Sequence, residues 1–202
     1  MSQGTETQKT SGNLPQFRSL ALVAVGSNMP FGHLSVAETV ESAIKTFPHS
    51  VCAIRATSSF YRTAAFPAGS GPDFVNAALA VETSLSPQNF LAMLHDIEEQ
   101  FGRVRSQRWG PRTLDLDLIG FDDCVLPDRA TYDLWATLDA SEQQTRAPDE
   151  LILPHPRLAE RAFVLVPLVE VAPDWIHPVS GRSVSQMFDA LTDCDLGEVT
   201  RL

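Results

Sequence analysis

Apolar and polar positions recur in two rhythms along the chain, and the switches between them mark out its elements. LALVAVG (20–26) is an apolar run closed by Gly26 and reads as a buried strand. Val36, Val40, Ala43 and Phe47 fall at helical spacing, which predicts a first helix over 34–47. Residues 51–62 (VCAIRATSSFYR) are β-rich and predict a second strand. A loop with Pro67, Gly69, Gly71 and Pro72 follows, and 73–83 (DFVNAALAVET) predicts a third strand. Ser86-Pro87 is a helix start, serine at the cap and proline at the first helical position. Phe90, Leu94, Ile97 and Phe101 then form one apolar stripe, and Gly102 stops the helix. Residues 113–121 predict a fourth strand. The order β-α-β-β-α-β is that of a ferredoxin-like α+β fold, an antiparallel sheet with both helices packed on one face.

Beyond that unit the pattern weakens. Residues 122–150 are acidic and irregular apart from a helical candidate around 133–138. From Leu151 the chain offers a short strand, a Pro154-His155-Pro156 turn, a short helix through Arg161, an apolar stretch over 162–169 and a last helix near 183–191. There is no internal repeat and no second core. The expectation is one domain over 19–202, with C-terminal additions and an acidic insertion at about 122–150. Residues 1–18 are polar with little to bury and are expected to form a flexible tail.

Composition narrows the function. No apolar run reaches the length of a membrane span, and the N-terminus lacks the apolar region of a secretory signal. The three cysteines, Cys52, Cys124 and Cys194, make no CxxC pair and no zinc spacing. They read as reduced thiols of a cytoplasmic protein. A net charge of −10 argues against nucleic-acid binding through a basic surface. The charge is uneven, however. Residues 122–150 carry eight acids against Arg129 and Arg146, whereas 103–112 carry four arginines and no acid. A locally basic segment in an acidic chain points to a small anionic ligand.

The candidate chemistry lies in RWGPRTLDLDLI (108–119). Asp115 and Asp117 sit two apart on a predicted strand, so both face one side while Leu114, Leu116 and Leu118 face the other. Two carboxylates so placed repel each other unless a cation lies between them. Mg²⁺ suits the pair because it takes a couple of carboxylates and completes its shell with water and phosphate oxygens. Alone, the pair could equally be two surface acids on a solvated strand face. Arg103, Arg105, Arg108 and Arg112 bracket the preceding loop, and a guanidinium holds phosphate bidentately where a lysine cannot. Thirteen of the fifteen cationic residues are arginine, so a solvated loop paired with nearby acids is the plainer alternative for that segment. Trp109 can stack on adenine or on another flat ring. Metal and arginines together favour phosphoryl transfer. No Walker-type loop and no kinase glycine-rich loop is present, and Gly26-Ser27-Asn28 reads as a turn.

These segments resemble the 6-hydroxymethyl-7,8-dihydropterin pyrophosphokinase family of folate biosynthesis. The matching pieces are ALVAVGSN (21–28), SSFYRT (58–63), DFVNAALAVETSLSP (73–87), IEEQFGRVR (97–105), RWGPRTLDLDLIGF (108–121) and LPHPRLAERAFVLVPLVEVAP (153–173), in the family's order. The resemblance implies attack of the pterin hydroxymethyl oxygen on the β-phosphorus of ATP, with AMP leaving. It implies two Mg²⁺ ions held by Asp115 and Asp117, with Arg103 and Arg112 near the phosphates during the chemical step. The pterin side would comprise Thr63, Ala65, Phe66, Phe74, Asn76, Trp109 and Phe163, with the ring between the two last-named aromatics. The nucleotide side would comprise Glu98, Arg105, Arg108, Arg112, Leu118, His155 and Arg161. A monomer is implied, with no nucleic-acid or membrane partner.

Taken singly, Phe66 and Phe74 read as core packing and His155 as a turn histidine. The chain departs from the family at His95, at Glu150, in the length of 122–150 and at Thr63-Ala64-Ala65, where many members have proline after the threonine. The alternative reading is a non-catalytic pterin or nucleotide-binding module on the same fold. An RNA-binding sheet lacks the basic surface, and a nuclease lacks a further acid or histidine at suitable spacing.

Overall fold

The computed structural model describes residues 19–65, 71–103, 112–139, 142 and 146–202. The expected flexible tail over 1–18 lies outside the described residues. So do Phe66, Arg105, Arg108 and Trp109.

Six strands form one antiparallel sheet: β1 (Ser19–Ser27), β2 (Cys52–Thr57), β3 (Tyr61–Thr63), β4 (Phe74–Thr83), β5 (Asp115–Phe121) and β6 (Val199–Arg201). The order runs β5-β1-β4-β3-β6, with β2 also on β4. The predicted second strand is thus two pieces. β2 pairs with the Leu79–Thr83 end of β4 and β3 with the Phe74–Asn76 end. Ser58 bridges the break: its N–H donates to the Ala78 carbonyl at 3.0 Å, and its Oγ accepts from the Ala78 N–H at 2.9 Å. Those bonds replace ladder bonds where the strand leaves register, so β4 keeps its edge satisfied.

Strand alternation divides the sheet into two faces. Ala21, Val23, Val25, Ala77, Leu79, Val81, Leu116 and Leu118 form a core beneath α1 (Val36–Lys45) and α2 (Pro87–Gln100). Both helices start where the sequence signals them. Ser35 and Glu38 form a reciprocal capping box, and Ser86 accepts from the Asn89 N–H ahead of Pro87. Gly102, at φ +74°, ends the second.

On the other face Leu22, Ala78, Ala80 and Ile119 pack under α4 (Ala162–Val171), which contributes Val164, Leu165 and Leu168. In the sequence pattern this helix is only an apolar stretch over 162–169. A helix buried on most sides carries no polar stripe, so its period is hidden. The rest of the C-terminal region holds a 3₁₀ turn (Leu158–Glu160), α5 (Val184–Phe188), α6 (Asp193–Gly197) and β6. The expected strand after Leu151 is one isolated bridge, Leu126 to Leu153.

Within the acidic stretch, α3 (Arg129–Ala136) begins four residues before the expected helix, capped by Asp128 on the Thr131 N–H at 2.9 Å. Tyr132 of α3 is buried against His177, with its hydroxyl 3.3 Å from Nε2. His177 Nδ1 accepts from the Val179 and Ser180 N–H groups, so Nε2 carries the hydrogen and donates to Tyr132. Burial pushes the His177 pKa down. Trp175, beside the same ring, fills the space over Gly120, where an added methyl would meet the indole at 2.7 Å. Among the described residues no helix is long and apolar enough to cross a membrane.

Candidate active site

The end of the sheet that α4 leaves open is set by one register. Gly26 of β1 pairs with Asn76 of β4 on one side and with Asp115 of β5 on the other. Residues opposite one another across a sheet share a face. The candidate pterin amide and the candidate metal carboxylate therefore flank one residue without a side chain. A methyl built on Gly26 would lie 3.3 Å from Asn76 Oδ1 and 3.9 Å from both Asp115 Cβ and Phe74 Cδ1. Asp117 follows on the same face, opposite Ala24.

Asp115 and Asp117 differ in surroundings. The Asp115 side chain is 15% exposed and that of Asp117 41%. Arg112 pairs with Asp115 Oδ2, and Arg103 Nη1 lies 2.7 Å from Asp115 Oδ1. That Oδ1 nevertheless accepts no well-directed hydrogen bond among the described residues. Burial first, and then the Asp117 charge, raise the Asp115 pKa, while Arg112 and Arg103 oppose the shift. The site thus holds a buried carboxylate oxygen lacking a directed donor, beside a second carboxylate that repels it. All-oxygen donors of this kind fit a hard divalent cation. Among the described residues there is no cluster of three or more histidine, cysteine or acidic groups, so a cation here would rest on this pair plus solvent or substrate oxygens.

Arginines frame the pair. Arg161, the residue before α4, reaches within 3.8 Å of Asp117 Oδ2 and lies over the Phe163 ring at 5.7 Å. Arg103 also pairs with Glu98. Glu98 is buried on α2 and accepts from the Leu116 N–H at 2.7 Å. Since β5 is an edge strand, Glu98 satisfies an otherwise open edge while it holds Arg103 over the site. The His155 N–H donates to the Ile119 carbonyl at 2.8 Å, and its Nδ1 accepts from the Arg157 N–H at 3.2 Å. Loss of bulk water around the ring, then the Arg161 and Arg157 charges, push its pKa down to about 3. The ring is neutral at pH 7 and offers its Nε2–H as a donor. The Leu118 side chain lies in the α1/α2 core, opposite the aspartates, which leaves its backbone as the part on the site side.

On the other flank, Asn76 Nδ2 donates to Thr63 Oγ1 at 2.8 Å, and both residues are buried. Ala65 is buried, Phe74 half-buried, and Phe163 is 39% exposed at the start of α4. The structure therefore brings Thr63, Phe74 and Asn76 to one side of Gly26, and Arg103, Arg112, Asp115 and Asp117 to the other. Sequence reasoning missed Gly26 and the two residues after it. Ser27 is buried, and its Oγ donates to the Thr113 carbonyl at 2.7 Å. The available signal was a Gly-Ser-Asn run at the end of an apolar strand, which reads as a turn, whereas Gly26 and Ser27 belong to β1 itself.

Comparison with known proteins gives one answer. Residues 22–173 match the family described as 7,8-dihydro-6-hydroxymethylpterin-pyrophosphokinase. A 2-amino-4-hydroxy-6-hydroxymethyldihydropteridine pyrophosphokinase of Synechocystis sp. is 42% identical over 137 residues, covering 68% of this chain and 59% of that protein. The enzyme of the same name from Methylorubrum extorquens is 33% identical over 182 residues, covering 90% and 98%. A folic acid synthesis protein of Pneumocystis carinii is 34% identical over 143 residues, 71% of this chain but 17% of its own length. Among solved structures, wild-type Plasmodium falciparum HPPK-DHPS with pterin and p-hydroxybenzoate superposes with a TM-score of 0.60 at 15% identity, covering 91% of this chain and 45% of that one. The last likeness concerns the fold alone.

Proposed function

The chain belongs to the 7,8-dihydro-6-hydroxymethylpterin-pyrophosphokinase family, and from that membership we propose that it transfers the pyrophosphoryl group of ATP to the hydroxymethyl oxygen of 6-hydroxymethyl-7,8-dihydropterin, releasing AMP in folate biosynthesis. The observation that carries the reading is the Asn76–Gly26–Asp115 register, which sets an amide suited to a pterin edge beside a carboxylate suited to a metal. On the acceptor side we assign Thr63, Ala65, Phe66, Phe74, Asn76, Trp109 and Phe163. On the nucleotide side we assign Glu98, Arg105, Arg108, Arg112, Leu118, His155 and Arg161. Leu118 would act through its backbone, and Glu98 through Arg103 and β5 rather than by touching the nucleotide.

Asp115 and Asp117 would hold Mg²⁺, two ions by family likeness, and bound Mg²⁺ would offset the triphosphate charge that repels an incoming oxygen nucleophile. The chain's own part is positioning. Arg103 and Arg112 are held by Asp115 in line with the donor side, His155 offers a neutral donor, and Asn76, fixed by Thr63, orients the acceptor. Aligning two substrates and neutralising charge can supply most of the acceleration without a general base. The sheet order β5-β1-β4-β2 supports classing the fold as ferredoxin-like, with C-terminal additions on one domain over 19–202. A cytoplasmic monomer with no nucleic-acid or membrane partner completes the proposal.

A coupled assay for AMP tests it. Product should form only when ATP, the dihydropterin and Mg²⁺ are all present. ATP binding by calorimetry with no AMP under those conditions would favour the non-catalytic module instead.

A further inference from the structure

Gly71-Pro72 lie just ahead of β4 on the acceptor side, and Arg112 lies just ahead of β5 on the donor side. Asn28, just past the end of β1, is 5% exposed and makes three hydrogen bonds to Pro72 and Arg112. Its N–H donates to the Arg112 carbonyl at 3.1 Å, and its Oδ1 accepts from the Arg112 N–H at 2.8 Å. Its Nδ2 donates to the Pro72 carbonyl at 3.3 Å. The first two bonds close a ring that extends the β1–β5 pairing by one residue, with a side chain in place of backbone. The Ser27 hydroxyl, on the Thr113 carbonyl, continues the same seam.

The third bond leaves that seam for Pro72. An amide is the one short side chain that presents an acceptor and a donor from a single rigid plane. Aspartate lacks the donor, and serine is too short to span both partners.

We propose that Asn28 is a positioning residue that ties Pro72, on the acceptor side, to Arg112, on the donor side, so that the placements of these two residues depend on each other. Asn28 acts through Arg112, which is paired with Asp115, and through the backbone leading into Phe74 and Asn76. The inference rests on the division into acceptor and donor sides proposed above. It predicts energetic coupling between the two substrate sites, and such coupling is reciprocal: whatever ATP does to pterin affinity, pterin does to ATP affinity.

Steady-state AMP formation by the full chain reads the tie at saturating co-substrate. Asn28→Asp keeps the acceptor for the Arg112 N–H and removes the donor to Pro72. It should raise the pterin KM and the ATP KM by a similar factor of about threefold to tenfold, while the calorimetric affinity for each substrate alone stays within about twofold. Asn28→Ala removes both arms and should raise both KM values further and lower kcat. A change confined to one KM for Asn28→Asp, or none, would overturn the proposal.

Equilibrium binding gives a readout that does not depend on turnover or on the aspartate variant folding. Pterin affinity is measured with and without a non-hydrolysable ATP analogue plus Mg²⁺. The wild-type chain should show a difference, and Asn28→Ala should shrink that factor at least about threefold towards one. A wild-type factor of one, or a factor unchanged in Asn28→Ala, would also overturn it. If the wild-type chain forms no AMP from these substrates, the proposed function fails. If it does and the two KM values do not move together, the inference about Asn28 alone fails.

Discussion

At the scale of single residues, the site depends on side chains that are absent or held. Gly26 leaves little room for a methyl, because one would sit 3.3 Å from Asn76 Oδ1, and Asn76, fixed to Thr63 through Nδ2, would have to shift to admit it. Gly26→Ala should push the amide aside and raise the pterin KM about tenfold, with a smaller change for ATP. A pterin KM unchanged in the AMP assay would contradict that placement. Asp117 is the opposite case, a group kept at a cost. Its charge helps to raise the Asp115 pKa, so Asp117→Asn should leave the metal-free melting temperature unchanged or higher. The same variant should slow AMP formation by about a hundredfold or more. A lowered melting temperature would show that Asp117 is structural instead. Strand alternation made Asp115 and Asp117 legible in the sequence as a pair. Asn76 beside Asp115 was not legible from pattern, because 39 positions separate them and only the register through Gly26 unites them.

At the scale of elements, sequence and structure agree where local chemistry decides and diverge where packing does. The Ser86-Pro87 start and Gly102 stop of α2 are local, and the structure follows them. Three features are set from elsewhere. Ser58 splits one predicted strand into β2 and β3 by bonding back to Ala78, α4 has no polar stripe to betray its period, and the three residues of β6 are strand only because β3 offers an edge.

The acidic stretch gave a helix but not its anchor, the buried Tyr132–His177 contact. That contact carries a pH dependence. His177 is buried, with a pKa lowered by burial, and its Nδ1 is occupied by two N–H donors. The unfolded chain therefore binds this proton more readily. The His177 contribution is fully present above the ordinary histidine pKa and is lost as pH falls below about 6.5. Denaturation curves of wild type and His177→Asn should run closer together at pH 5 than at pH 7.5, with slopes differing by at most about 1.4 kcal/mol per pH unit. Parallel curves would exclude His177 as the titrating group.

At the scale of the molecule, the chain's last strand reaches the acceptor side. β6 pairs Val199 with Thr63 and Arg201 with Tyr61, and the Leu202 N–H donates to the Phe60 carbonyl at 2.9 Å. Tyr61 is in turn paired with Glu170 of α4, whose other carboxylate oxygen accepts from the Ser59 N–H at 2.6 Å. Thr63 and Asn76 are thus braced from outside by β6 and α4. Removing residues 199–202 should raise the pterin KM several-fold and leave the ATP KM nearly unchanged; equal effects would mean that β6 steadies the whole sheet rather than one flank. The central strand has a different kind of consequence. Neighbouring strands stand about 4.8 Å apart, so groups one strand to either side of β1 are held about 10 Å from each other. That interval is a length standard made of backbone hydrogen bonds. Mutation can change what stands at either mark, but the distance between the marks belongs to the sheet.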